Sequence, residues 1–499
     1  MAELPNGWGP ILDDLAERRA AAAAMGPPDR LDRQHDGGRL DARQRIAHLA
    51  DAGSFHEIGA LVGDLPADGF VAGLATVDGR PVGVGAEDFT VLGGSIGVGG
   101  TAKRHRLAEL ALQERHPLLL LLEGAGHRPP RDNEPPAGRR PNDLQALAKL
   151  SGRVPVAVGV FGPSAGHGAL AAPLADFSVM TATAAIFAAG PPLVKAATGE
   201  EVDKAALGGP AVALASGVVH NEVATDREAL DQLRRWLGYL PRSAWQAPPL
   251  SADPGGDDLR PELLEIVPSN HRTPYDMIRA VVALVDAGSW FEVQPRFGET
   301  LITGLARIGG DPVAIVANQP NVRAGSIDSD AADKGATFVS MADGFHLPLL
   351  FLTDNPGVLA GTAAERSGIL RHAARLFAAQ SRATTTKVQV TFRKAYGFGS
   401  SAMAMNPFDS QTLNLAFPGV TFGAMPAAGA DAATNADAVG QASLRAAELA
   451  SGYRSAAGFS IDDLIDPRQL RQALRVALRT SAARRRDPVE PVARVGRLP

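Results

Sequence analysis

The chain has 499 residues, a formal net charge of −5, 45% hydrophobic and 21% charged residues, and no cysteine. That charge balance excludes a mainly electrostatic nucleic-acid binder. The missing cysteines exclude disulfides, thiolate zinc sites, iron–sulfur clusters and a catalytic thiol.

Residues 1–7 are polar and lack the basic-then-apolar pattern of a secretory signal. The longest strongly apolar runs, such as 117–122, fall far short of the about 20 residues that span a bilayer. No membrane association and a cytoplasmic location are therefore expected. In chain order, a short helix ends at Asp51-Ala52-Gly53-Ser54, and short β segments follow around a turn at Gly79-Arg80-Pro81. A helix then leads to a buried strand at 118–122. A further β segment at 154–161 runs into a glycine-rich turn and another helix. The same order returns with Asp286-Ala287-Gly288-Ser289, a turn at Gly310-Asp311-Pro312, and strands at 349–352 and 387–392. Continuous apolar strands alternating with helices predict a largely parallel sheet covered on both faces, hence an α/β fold.

The recurrence is an internal repeat. A shift of 231 residues aligns Gly73-Leu74-Ala75 with Gly304-Leu305-Ala306, Gly94-Ser95-Ile96 with Gly325-Ser326-Ile327, and Lys103 with Lys334. Of the 49 positions from 73 to 121, 17 are identical without a gap. The period is the size of a domain, so the chain reads as two homologous domains in tandem. They are assigned to residues 1–240 and 275–499. The segment 241–274, with seven prolines, is the expected linker.

Each repeat carries a glycine-rich turn between a strand and a helix: Gly162-Pro163-Ser164-Ala165-Gly166-His167-Gly168, and Arg393-Lys394-Ala395-Tyr396-Gly397-Phe398-Gly399. Such a turn points backbone N–H groups at one spot, where they can hold a phosphate or a developing oxyanion. A tight turn for helix–sheet packing is the plainer alternative. Occurrence in register in both repeats favours a pair of anion holes. Neither a Walker loop nor a convincing dinucleotide fingerprint is present, because Gly94 to Gly100 keeps only its first glycine in the second repeat. The eleven histidines form no metal-ligand pair, so no metal is expected. His167 stands apart because it interrupts a candidate oxyanion turn.

Several motifs together resemble one family. They are Gly38-Arg39-Leu40-Asp41-Ala42-Arg43-Gln44-Arg45-Ile46, Asp88-Phe89-Thr90-Val91-Leu92-Gly93-Gly94-Ser95, Gly190-Pro191-Pro192-Leu193-Val194-Lys195, Ala317-Asn318-Gln319-Pro320, Asp354-Asn355-Pro356-Gly357 and Arg393-Lys394-Ala395-Tyr396-Gly397. Over about residues 30–480 the chain resembles the carboxyltransferase (β) subunit of biotin-dependent acyl-CoA carboxylases, of the propionyl-CoA/acetyl-CoA carboxylase type. The resemblance implies two tandem crotonase-like (ClpP/crotonase ββα-spiral) domains, typically in a hexamer. It implies an active site shared between the first domain of one subunit and the second domain of another, with acyl-CoA on the first and biotin on the second. The implied reaction moves a carboxyl group from carboxybiotin, carried on a partner protein, to the α carbon of an acyl-CoA.

The resemblance also sorts the site residues. Gly166, His167, Phe398 and Gly399 would supply two backbone oxyanion holes. Gly124, Ala125, Gly126, Arg128, Ala165, Tyr396, Gly397, Ser401, Pro356 and Gly357 would line the substrates. Three places depart from the family: Gly166-His167-Gly168 and Gly397-Phe398-Gly399 stand where Gly-Gly-Ala is usual, and Glu123 to Arg128 runs into a Pro/Arg-rich stretch, 129–141. If the middle residue of either turn requires a positive φ, a side chain there is strained. Ser401 lies where the family carries a residue linked to acyl-chain choice. No Met-Lys-Met biotinylation motif occurs, so a biotin carboxylase/biotin carrier α subunit is the expected partner. Two alternatives remain open: a carboxyltransferase of a biotin-dependent acyl-CoA decarboxylase, and a divergent non-catalytic scaffold subunit.

Overall fold

The computed structural model describes residues 7–129, 141–406, 409–486 and 490–491. It forms two compact units, the first ending at Gly238 and the second beginning at Tyr239.

The strands of the first unit are β1 (His56–Glu57), β2 (Phe70–Val77), β3 (Arg80–Glu87), β4 (Leu118–Leu122), β5 (Val156–Val160), β6 (Pro163–Ala165), β7 (Phe177–Thr181), β8 (Ala185–Phe187) and β9 (Asn221–Val223). Helices α1 (Ala42–Leu49), α2 (Val98–Gln113), α3 (Asp143–Ala148), α4 (Gly166–Ala169) and α5 (Asp226–Leu237) matter most for the site. The main sheet has the order β1-β2-β3-β4-β5-β7-β9. It is antiparallel from β1 to β3 and parallel beyond. Strands β6 and β8 form a separate parallel pair.

The unbroken leucine run of β4 is explained by cover on both faces. Leu118, Leu120 and Leu122 point into a core with Leu107 and Ala111 of α2 and Leu147 of α3. On the sheet's other side, Leu230, Leu233 and Trp236 of α5 are fully buried, and Trp236 stacks on Phe177 at 5.6 Å. Helix α1 starts on a capping box, with Asp41 accepting from the Gln44 N–H and the Gln44 side chain accepting from the Asp41 N–H.

The second unit repeats the plan. Its strands are β10 (Phe291–Val293), β11 (Leu301–Ile308), β12 (Asp311–Asn318), β13 (Leu349–Asn355), β14 (Lys387–Tyr396), β15 (Leu413–Ala416), β16 (Thr421–Gly423) and β17 (Asp463–Leu464). Helices α6 (Leu263–Ile266), α7 (Met277–Leu284), α8 (Ser329–Gly344), α9 (Ile369–Arg382), α10 (Gly397–Ala402) and α11 (Leu470–Thr480) accompany them. Helix α6 lies within the proline-rich segment, and its Leu263 and Ile266 are buried in the second unit's core.

The 231-residue offset is written into the strand pairing. Gly73 pairs with Val84 and Gly304 with Ile315; Leu118 pairs with Val156 and Leu349 with Lys387. The buried Lys103 and Lys334 repeat as well. Lys103 donates to the carbonyls of Ala67 and Phe70, and Lys334 to those of Phe297 and Leu301. Burial lowers the two ammonium groups to pKa values of about 8 and about 7.

Two strand limits differ from expectation. The segment expected to end at Phe392 runs on as β14 to Tyr396, and β13 extends to Asn355. In the first unit the corresponding strand breaks between Val160 and Pro163, so the two pieces pair with different partners. In the second unit the strand stays whole, and a register shift between Thr353 and Asn355 absorbs the irregularity.

The Asp-Ala-Gly-Ser turn is a staple in both units. Asp286 accepts from the N–H groups of Gly309 and Gly310 and binds the buried Arg471 at 2.6 Å. Burial acts to raise its carboxyl, but the Arg471 guanidinium and both N–H groups outweigh it and hold it below the usual range. A carboxyl held low contributes stability that is complete above the unfolded value of about 3.9 and is lost as pH falls through the folded value. Replacing Asp286→Asn should destabilise the second unit by about 3 kcal/mol at neutral pH, because Arg471 loses a buried partner. Melting temperature measured against pH should show that the difference from wild type narrows in acid. A parallel displacement at every pH would contradict this.

Candidate functional site

In the first unit the loop after β4 and the turn after β6 meet. The Ala165 N–H donates to the Gly124 carbonyl at 2.9 Å. A Cβ on Gly126 would lie 3.0 Å from the Ala165 carbonyl oxygen. Gly124, Gly126, Ala165, Gly166 and His167 are thus brought together. The loop is pinned from behind by Ile96, whose N–H donates to Gly126 and whose carbonyl accepts from Arg128. The Ala125 N–H is engaged by the Gly93 carbonyl. Arg128 is a tie within the loop: it holds Asp68 at 2.6 Å and the Ser95 carbonyl at 2.9 Å.

The second unit repeats this contact. Ile327 donates to Gly357 and accepts from Leu359. A Cβ on Gly399 would lie 2.7 Å from the Gly357 Cα. Pro356 and Gly357 therefore lie beside Tyr396, Gly397, Phe398 and Gly399. The Ser401 carbonyl accepts from Gln380 of α9 and from Asn406. The Tyr396 hydroxyl donates to Glu448, with Thr421 Oγ1 at 2.8 Å, and burial followed by Glu448 pushes its pKa up.

The backbone answers the question of strain in the turns. Gly166 has φ 59° and Gly397 φ 55°, whereas neither His167 nor Phe398 has a positive φ. The left-handed residue is the first glycine, so the middle position tolerates a side chain. In α4 and α10 the first-turn N–H groups lack helical partners by geometry. Those of His167, Gly168, Phe398 and Gly399 also find no protein carbonyl among the described residues.

Beneath each turn stands a buried polar side chain that the sequence comparison missed. Glu87, at the end of β3, accepts from the Glu123 N–H at 2.6 Å and pairs with Arg104. Its carboxylate lies against Gly124 and Gly168, where a Cβ would come within 2.8 and 2.9 Å. Burial pushes the Glu87 carboxyl up against the opposing pull of Arg104. Asn318, at the end of β12, accepts from the Asp354 N–H and the Asn355 side chain, each at 3.1 Å. The two positions are 231 apart but carry different residues, so identity matching passes over them.

A second missed feature belongs to the first unit alone. His167 Nε2 lies 2.7 Å from Asp143 Oδ1, and the His167 ring sits 4.3 Å from that of His127. Burial acts to raise the Asp143 carboxyl, but His167 outweighs it and leaves the carboxyl low. Burial, then His167, lowers the His127 imidazole. In the second unit the middle side chain, Phe398, instead packs on Phe377 of α9 at 5.5 Å. Of the unusual 129–141 stretch, residues 130–140 lie outside the described residues. Among the described residues no group of three or more histidine or acidic side chains could hold a metal ion. No helix among them is long and apolar enough to cross a membrane.

Residues 33–495 match the family model described as the carboxyl transferase domain. The propionyl-CoA carboxylase carboxyltransferase subunit of Haloferax mediterranei is 36% identical, covering 98% of this chain and 99% of that protein. The methylmalonyl-CoA decarboxylase subunit alpha of Veillonella parvula is 35% identical over 95% of this chain and 96% of that protein. A crystal structure of transcarboxylase 12S, with hydrolysed methylmalonyl-coenzyme A bound, superposes with a TM-score of 0.90 at 34% identity, covering 99% of this chain and 100% of that one. The match spans both units and carries the tandem crotonase-like fold with it. The chain therefore belongs to the acyl-CoA carboxyltransferase family, which the motifs of both its repeats resemble.

Proposed function

We propose that the protein transfers a carboxyl group to the α carbon of an acyl-CoA by means of two backbone anion holes, one in each unit. The observation that supports this most is the pair of turns. They share one conformation and one offset, while their middle side chains differ completely. A function conserved through such a difference resides in the backbone.

In this reading the N–H groups of the turn at Gly166, His167 and Gly168 receive the thioester oxygen of acyl-CoA as negative charge develops on it. The Gly124–Gly126 loop, with Ala165, forms the neighbouring wall, and Arg128 fixes the loop. The N–H groups of Phe398 and Gly399 receive the ureido oxygen of biotin. Biotin, carried on a separate biotin carboxylase/carrier subunit, supplies the activated carboxyl group. Close packing at Gly357, Gly397 and Gly399, where a Cβ would meet Tyr396, Ala424 and Asn355, keeps the loop after β13 and the turn together beside that site. The Phe398 and Phe377 rings give an apolar flank. A homohexamer, like that named for transcarboxylase 12S, and a cytoplasmic location complete the proposal.

The test is carboxyl transfer from a carboxybiotin-loaded partner to a panel of acyl-CoAs. Turnover with at least one acyl chain is expected. A folded hexamer with no turnover on any of them contradicts the proposal and favours the scaffold alternative. Two substitutions sharpen it. Replacing the Gly399 amide by an ester, with glycolic acid in place of the glycine, should lower kcat by about 100-fold, the order of one lost oxyanion donor, because the N–H is removed and no Cβ is added. Phe398→Gly should raise the KM for the biotin-loaded partner by about two- to tenfold, the worth of one aromatic contact. Its melting temperature and its KM for acyl-CoA should stay near wild type. An unchanged KM for the partner would contradict the assignment of the second unit to biotin.

A further inference from the structure

The second unit has a cleft of about 500 Å³ between α6, the loop that follows it, the end of β14 and the loops after β15 and β17. Small-molecule sites have volumes of about 300–1,000 Å³. Leu263, Leu264, Val267 and Phe417 give the cleft an apolar lining, with the exposed Leu264 at its mouth. Its charged lining is Arg393, Arg468 and Asp466, with His271 beside them. Arg468 and Asp466 neutralise each other in an ion pair. Arg393 is different, because its side chain is only 4% exposed. Its Nε donates to Asp354 and its Nη1 to the carbonyls of Asn270 and Thr273, while Nη2 has no hydrogen-bond partner among the described residues. Asp354 also faces Lys394 at 3.9 Å, so two cations share one buried carboxylate. Neither the turn at Gly397, Phe398 and Gly399 nor Gly357 lines the cleft. The first unit closes the corresponding place with its own side chains. Phe161, in register with Phe392, is fully buried with the Arg45 guanidinium 4.5 Å over its ring, and Arg45 ties Glu123 to Asp226. Helices α1 and α7 match across the repeat, each ending just before its Asp-Ala-Gly-Ser turn, and Arg45 is matched there by Ala280. Arg393 is matched by Gly162. The second unit thus carries its cation on the strand rather than on the helix, with a cleft beside it.

We propose that this cleft is a further small-molecule site, for an amphipathic monocarboxylate with an aliphatic tail of medium length. The carboxylate accepts from Arg393 Nη2, a guanidinium donor that is otherwise left without a partner. The tail lies along Leu263, Leu264, Val267 and Phe417, which remove it from water. The sign of the charge follows from Arg393 and Lys394, which have only Asp354 between them. A cationic head group would meet the wrong sign there. The site is separate from both anion holes and stands whether or not carboxyl transfer is the reaction.

The test is equilibrium dialysis of the full-length protein against octanoate, with 1-octanol, octylammonium and butyrate as controls, all below micelle-forming concentrations. Octanoate should bind saturably. It should bind at least about tenfold more tightly than 1-octanol or octylammonium, the worth of one hydrogen bond to a charged group. It should also bind at least about tenfold more tightly than butyrate, which lacks four methylenes. Two variants place the site. Leu264→Asp puts a carboxylate on the apolar wall, and Ser269→Trp puts a large ring at the mouth. Both positions are exposed, so melting temperatures should stay near wild type. Each variant should weaken octanoate binding at least about tenfold. Absence of saturable binding to wild type overturns the proposal. Equal affinity for the three eight-carbon head groups does so too, since it shows apolar adsorption without the guanidinium. Octanoate affinity unchanged in both variants places the binding elsewhere and also overturns it. Melting temperatures identify a variant that is merely unfolded, and the other variant then decides.

Discussion

Both candidate sites stand on the same hydrogen bond. At the end of the third strand of each sheet, a buried side chain accepts the N–H of a residue where the fourth strand ends: Glu87 for Glu123, and Asn318 for Asp354. Without that acceptor a buried amide would be left unpaired, at a cost of about 1–3 kcal/mol. With it, the loop is held within van der Waals reach of the glycine turn. The glycines at 124, 168 and 399 are explained by this crowding, since any Cβ would collide with Glu87, Asn355 or the neighbouring backbone.

The residue so held is itself charged and buried. Glu123 is bound by Arg39 and Arg45, and Arg45 also holds Asp226 at 2.9 Å. Asp354 is bound by Arg393 and by the Tyr275 hydroxyl. Such buried pairs add little net stability, but removing one partner is expensive. Their effect is therefore to fix position. In the first unit they tie the N-terminal Arg39–Arg45 motif and α5 to the site loop. In the second they tie the loop to β14 and to Tyr275, which precedes α7. A backbone anion hole needs such positioning, because its donors cannot adjust by rotating a side chain.

Much of this was legible in the sequence. The offset of 231 appears as repeated identities and returns unchanged in the strand registers, because pairing in a covered sheet is fixed by which residues face the core. Leu118–Leu122 was readable as a strand for the same reason. The turns were readable from their glycines, and the positive φ that would have strained a side chain at their centres falls on Gly166 and Gly397. The supporting side chains were not readable. Glu87 and Asn318 do the same work with different chemistry, so a search for identity misses them. Asp143 lies 24 residues from His167, on the far side of the β segment at 154–161, and no sequence spacing pairs the two. Only the folded chain brings their atoms to 2.7 Å. The extension of β14 to Tyr396 was hidden because its extra pairing is with β16, a strand of three residues.

The central claim is that the N–H groups of the turns act in the reaction, whatever side chains flank them. It is tested most directly by replacing the Phe398 amide with an ester, using an α-hydroxy acid that keeps the phenyl side chain. The shape of the turn is retained and one donor is lost. The account predicts that kcat for carboxyl transfer falls by about 100- to 1,000-fold with the melting temperature little changed. A rate equal to that of the unaltered protein would contradict it.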